Sequence, residues 1–147
     1  MIARLIKGEA ELEKCLQIRR RVFVEEQGVA KNLEMDGLEA ECVHFLAWPN
    51  SDAELDHAVG TARLWIDCNG AAKAQRVAVL ATARGGGVGR QLMRVVEQET
   101  RARGVAELIL GAQISALPFY RAIGYQAYGD EFDDAGIPHR MMRRGLG

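Results

Sequence analysis

Four of the five residues from 85 to 89 are glycine, in the run Arg84-Gly-Gly-Gly-Val-Gly89. The run follows an apolar segment rich in Val and Ala and precedes a segment with helical periodicity, so it reads as a strand-to-helix turn. Glycines there let the backbone approach a ligand and leave amide N–H groups free to donate. The positive end of the following helix dipole adds to them, and the chemistry that fits is recognition of a phosphate. A tight turn that merely uses easy glycines is the plain alternative, but it needs fewer than four. The pattern is not the dinucleotide one, because Arg90 stands where GxGxxG ends on glycine. No Gly-Lys-Ser or Gly-Lys-Thr occurs to close a P-loop.

The elements that must hold this turn are legible around it. Residues 74–81 predict the strand before it. Val88, Leu92, Val95 and Val96 give the helix after it an apolar face, with Arg90, Arg94, Glu97 and Arg101 placed off that face and Gly104 as its stop. Upstream, residues 3–7 predict a first strand. Leu12, Cys15, Leu16, Ile18, Val22 and Phe23 recur at helical steps until Gln27-Gly28. An acidic, polar loop is expected over 31–41, then antiparallel strands over 42–48 and 58–66. Downstream come a strand over 107–112, a short helix over 116–123 stopped by Gly124, and a last strand over 139–144. Strands and helices alternating around a mixed sheet give an α/β or α+β class.

Composition closes other doors. The 147 residues suit one domain spanning 1–147; they are 48% apolar and 27% charged, as in an ordinary globular protein. A formal net charge of −1 offers no basic field for nucleic acid. No apolar run reaches the length of a membrane span, and the start, Met1 to Gly8, is too charged for a secretory signal, so a cytoplasmic location is expected. Cys15, Cys42 and Cys68 are odd in number and form no CxxC pair, which predicts neither disulfides nor a zinc site. His44 and His139 show no metal-ligand spacing, so no metal is expected.

Arg84-Gly-Gly-Gly-Val-Gly89 fits R-x-x-G-x-G and resembles the acetyl-CoA signature of the GNAT superfamily of N-acetyltransferases. A second stretch, Gln113-Ile-Ser-Ala-Leu-Pro-Phe-Tyr-Arg-Ala-Ile-Gly-Tyr125, is similar to the family's N-x-x-A-x-x-F-Y-x-x-x-G-[FY] at Ala116, Phe119, Tyr120, Gly124 and Tyr125, with Gln113 in place of the usual Asn. Arg20 to Gln27, Glu34-x-Asp36-Gly37, His44, Gly60 to Arg63, and Phe132, Gly136, Ile137, His139 and Met141 look like the small bacterial acetyltransferases of the ElaA/YjcF type. The resemblance implies a mixed, mostly antiparallel twisted sheet, flanked by helices and splayed at its central strand near Val77–Val79. It implies acetyl-CoA as cosubstrate. The backbone of Val77, Ala78 and Val79 would hold the pantetheine arm, and Arg84, Gly85, Gly86, Gly87, Val88, Gly89 and Arg90 the pyrophosphate, with Gln113 beside them.

Acetyl transfer to an amine by direct attack then needs an oxyanion donor, a proton for the departing thiolate and a neutral nucleophile. A backbone N–H around Val77–Val79 suits the oxyanion, and such a donor is worth about 2.7–4 kcal/mol. Tyr120 is the expected general acid. An alkylamine of pKa about 10.4 is only about 0.04% neutral at pH 7, so a base is useful. His44, Glu26, Glu34, Asp36 and His139 are available. His44, between Val43 and Phe45 on a strand, is the candidate base, and Glu26, Glu34 and Asp36 are candidates for holding a cationic substrate. Arg63 and Arg76 read as ion-pair or surface residues. The expected partner is a small-molecule primary amine, with a homodimer left open. A non-catalytic acyl-CoA sensor and a mononucleotide-binding protein are the competing readings.

Overall fold

Residues 43–48, Val-His-Phe-Leu-Ala-Trp, carry apolar side chains at both alternating phases, a pattern that needs cover on both faces. In the computed structural model, which describes Met1–Gly147, they form strand β2 (Val43–Trp48). Phe45 and Ala47 enter one core and Leu46 and Trp48 the other. The first core is closed by α3 (Val88–Ala102), through Val88, Leu92, Met93 and Val96. The second is closed by α1 (Gly8–Arg19), through Cys15 and Ile18, and by Val22 of the π-helical stretch Arg20–Glu26 that continues it. Each buried Leu or Ile there contributes about 1.5–3 kcal/mol of transfer free energy.

Seven strands join one sheet in the order β1-β2-β3-β4-β5-β7-β6. The others are β1 (Ile2–Leu5), β3 (Gly60–Ile66), β4 (Ala72–Val79), β5 (Glu107–Gln113), β6 (Gln126–Asp134) and β7 (Ile137–Gly145). Every pairing is antiparallel except β4 with β5. The mixed, mostly antiparallel sheet with flanking helices expected from the sequence is therefore present. A short α2 (Lys31–Glu34) and α4 (Leu117–Ala122) complete the chain.

Three local expectations are corrected. The segment over 31–41 is a turn of helix and a turn of 3-10 helix (Glu39–Glu41), held by ion pairs described below. Glu97 lies on the buried face of α3, where the Tyr125 hydroxyl donates to its Oε2 (2.6 Å) and the Arg144 guanidinium to its Oε1 (2.8 Å). A buried carboxylate so partnered replaces an apolar side chain. The last strand begins at Ile137, and β6 precedes it. Residues 126–134 show no apolar alternation because β6 is a charged edge strand, paired on one side only. Cys15 is buried, Cys42 partly so, and Cys68 exposed.

Candidate active site

Parallel strands β4 and β5 pair only at Ala72 with Leu108 and Lys73 with Ile109. Beyond Lys73 they diverge. The cause lies on the other edge of β4. Between the pairs Thr61–Ala78 and Arg63–Gln75, two residues of β4, Arg76 and Val77, oppose Ala62 alone on β3. Such a bulge bends its strand. Arg76 adopts φ +54°, which costs a non-glycine residue free energy. Its guanidinium is tied down by Glu34, at 2.8 Å to Oε2 and 3.1 Å to the carbonyl oxygen.

A cleft of about 340 Å³ opens where the strands part. Its walls are Ala74–Val79, Leu110–Gln113, Tyr120 of α4, Val22, Phe23 and Gln27 from the first helix, and the β6–β7 turn with Asp134, Ala135, Ile137 and His139. The Leu80 N–H donates to the Val59 carbonyl just before β3 (2.8 Å), so strand alternation turns the N–H and C=O of Val79 towards the cleft side. The Val79 carbonyl accepts from Arg84 Nε there (3.0 Å).

The glycine turn stands at one end of this cleft. None of the backbone N–H groups from Gly85 to Arg90 finds an acceptor within the protein, and the first helical bond to follow is Gln91 N–H to the Gly87 carbonyl. Gly85 (φ +85°) and Gly87 (φ +89°) take left-handed conformations that other residues resist. A Cβ at Gly89 would stand 3.1 Å from the Phe119 ring, so this glycine serves close packing of α3 on α4. Arg84 also donates to both carboxylate oxygens of Glu26 (2.6 and 2.7 Å), and that pairing holds Glu26 below the usual carboxylate range. The pair is surface-exposed and Glu26 does not line the cleft.

Tyr120 sits edge-on to Phe119 and Tyr125, with ring centroids 4.9 and 5.7 Å away. Burial pushes its hydroxyl above the ordinary value, so it keeps its proton. That hydroxyl has no partner in the protein. The buried side-chain atoms without a partner are Arg19 Nη1 and His44 Nδ1 alone, so the Tyr120 oxygen is open to the cleft it lines. Gln113 Nε2 donates to Gln27 Oε1 (2.8 Å), joining the end of β5 to the end of the first helix. Neither Gln27 nor the Asp134–Ala135 turn was singled out from sequence as part of the site. Their one signal was the likeness of the chain's ending and of residues 20–27 to small acetyltransferases.

His139 lines the cleft, whereas the other titratable candidates are placed elsewhere or already engaged. His44 is buried on β2 and does not line the cleft. Its Nε2 stands 2.8 Å from the Glu39 carbonyl, and desolvation pushes its pKa down. Glu34 is buried and reaches the cleft wall, yet Arg19 (3.0 Å) and Arg76 (2.8 Å) share its Oε2. Asp36 takes both terminal nitrogens of Arg63, which hold its carboxyl down at about 2. Glu39 joins both systems, to Arg19 at 2.9 Å and Arg63 at 3.1 Å. Three arginines and three carboxylates thus pin α2 against β3 and β4. Arg63 and Arg76 are ion-pair residues, as expected.

Residues 22–146 match the acetyltransferase (GNAT) domain family. The uncharacterized N-acetyltransferase YjcF of Bacillus subtilis (strain 168) is 37% identical over 145 residues, covering 98% of this chain and 99% of its own. Among solved structures, ElaA of Escherichia coli is similar with TM-score 0.82 and 27% identity, over 97% of this chain and 98% of that one. An aminoglycoside 6'-N-acetyltransferase complexed with coenzyme A has the same fold at TM-score 0.78 and 15% identity, over 100% of this chain and 98% of that one.

Proposed function

The chain belongs to the GNAT acetyltransferase family and is an acyltransferase, and on that premise we propose that it transfers acetyl from acetyl-CoA to the primary amine of a small molecule, by direct attack in a ternary complex. One observation carries the reading: β4 loses its partner β5 from Ala74 onward and ends at a turn whose amides, from Gly85 to Arg90, are all unpaired. A bare strand edge can receive an extended amide-bearing arm as it would a further strand. The amides at its end suit a pyrophosphate. The residues present therefore fit coenzyme A, whose thioester supplies the acetyl group. Val77 or Val79 would donate N–H to the oxyanion, Tyr120 would supply the proton that the thiolate needs, and Gln113 would border the arm. An amine would enter between Phe23, Val29 and Leu33 and the β6–β7 turn. The cleft's size is in the range of small-molecule sites.

Thiol release from acetyl-CoA over a panel of amines tests this. Turnover of at least one amine is expected, with initial-rate lines that intersect when both substrates are varied. Binding of acetyl-CoA without turnover on any amine would leave a sensor, and parallel lines would replace direct attack with an acyl-enzyme.

A further inference from the structure

We propose that His139, through Nε2, is the base that takes the proton from the attacking amine. The assignment rests on the acetyltransferase reading. His139 lines the cleft from β7, in register with Gln113 at the end of β5. Its Nδ1 stands 2.7 Å from the Ile137 carbonyl. A carbonyl only accepts, so in the neutral ring Nδ1 carries the hydrogen and Nε2 the lone pair. Nε2 has no partner in the protein, and it is not among the buried unpartnered atoms, so it opens into the cleft. The ring stacks on Phe132 at 5.8 Å and 29°. Phe132 in turn lies over Gly111, where a Cβ would come 3.4 Å from it. The imidazole is thus held in both tautomer and plane.

Of the five groups that could act as base, two line the cleft, Glu34 and His139, and of these His139 alone has no ion-pair partner. The other charged or titratable groups of the cleft wall are Glu34, Arg76, Arg84, Tyr120 and Asp134. Glu34 and Arg76 pair with each other, and Arg84 with Glu26. Asp134 adds a negative charge at the rim, which favours arrival of an ammonium. The protons balance. The ammonium nitrogen begins with three and ends, as the amide, with one. The first passes to Nε2 and on to water, which frees the lone pair to form the N–C bond. The C–S bond breaks, and the second proton ends on the thiol.

The test compares two acceptors in His139→Gln: an alkylamine, protonated at pH 7, and an alkoxyamine, already neutral there. With the alkylamine, kcat/KM should fall about a hundredfold or more. With the alkoxyamine it should change less than about threefold, and thermal stabilisation by acetyl-CoA should stay at the wild-type level. Equal losses with both acceptors would assign His139 a structural role, and no loss with the alkylamine would exclude it as the base. Either result overturns this assignment and leaves the acetyltransferase reading standing. A wild type inert towards every amine removes both. Should His139→Gln not fold, His139→Asn carries the same comparison.

Discussion

Tyr120 keeps its ring in an aromatic corner and its hydroxyl in the cleft, without a protein partner. Tyr120→Phe therefore leaves no buried group unpaired and should change stability little. If the hydroxyl serves the departing thiolate, kcat falls about ten- to a thousandfold while acetyl-CoA affinity holds. The loss should shrink with an acyl donor whose thiol is more acidic, and an unchanged kcat on a substrate limited by chemistry would end the acid role. Burial raises both the phenol and a thiol in the same surroundings, so the gap between them need not widen. The glycine turn offers a second residue-scale test. Gly86 has an ordinary φ, and its nearest neighbour to a new Cβ is the Ala83 carbonyl at 3.7 Å. Gly86→Asp should fold normally yet place a carboxylate among the unpaired amides proposed to hold the pyrophosphate. Wild type at a hundred times Kd gains about 2.7 kcal/mol from coenzyme A. The variant should lose most of that gain in a thermal-shift titration, and an unaltered gain would remove the turn from the cofactor site.

At the scale of elements, the β6–β7 hairpin is where a local rule is broken. Its two turn residues, Ala135 (φ +55°) and Gly136 (φ +82°), are both left-handed, the geometry that favours Asn-Gly. Alanine there bears a conformational cost that asparagine largely escapes. Ala135→Asn should stabilise the protein by about 0.5–1 kcal/mol, raising Tm by about 1–4 °C in a thermal melt. An unchanged or lower Tm would mean that the cleft rim tolerates no larger side chain. Arg76 breaks the same rule at the bulge, but Glu34 compensates it, and the bulge is what separates β4 from β5. Both residues border the same cleft, whereas the third non-glycine residue of positive φ, Ala53 (φ +48°), does not line it.

For the whole molecule, acid stability follows from the buried groups. His44 has its pKa pushed down by desolvation, so the unfolded chain binds more protons below about pH 6.5. Stability is full above that pH and declines as pH falls towards the folded-state value. Asp36, held at about 2, adds a second loss below about pH 4, where the unfolded carboxylate protonates first. Tm should thus decrease from pH 7.5 to 5.5 and again below pH 4. His44→Gln should flatten the first step and keep the second, and identical profiles would assign the first step to other groups. What the sequence by itself determined was local: the strand, glycine turn and helix from 74 to 102, the aromatic stretch ending at Gly124-Tyr125, and the family they belong to. Periodicity and turn chemistry act over a few residues, so they can be read along the chain. Edge strand β6 escaped because it buries too little to leave a pattern. The fates of the titratable residues were decided by tertiary structure alone. Arg76 meets Glu34 across 42 positions, and Arg63 meets Asp36 across 27. His44 and His139 are alike in type and both lie on strands. Only the packing around each determined that one nitrogen is sealed in the interior and another opens to the cleft.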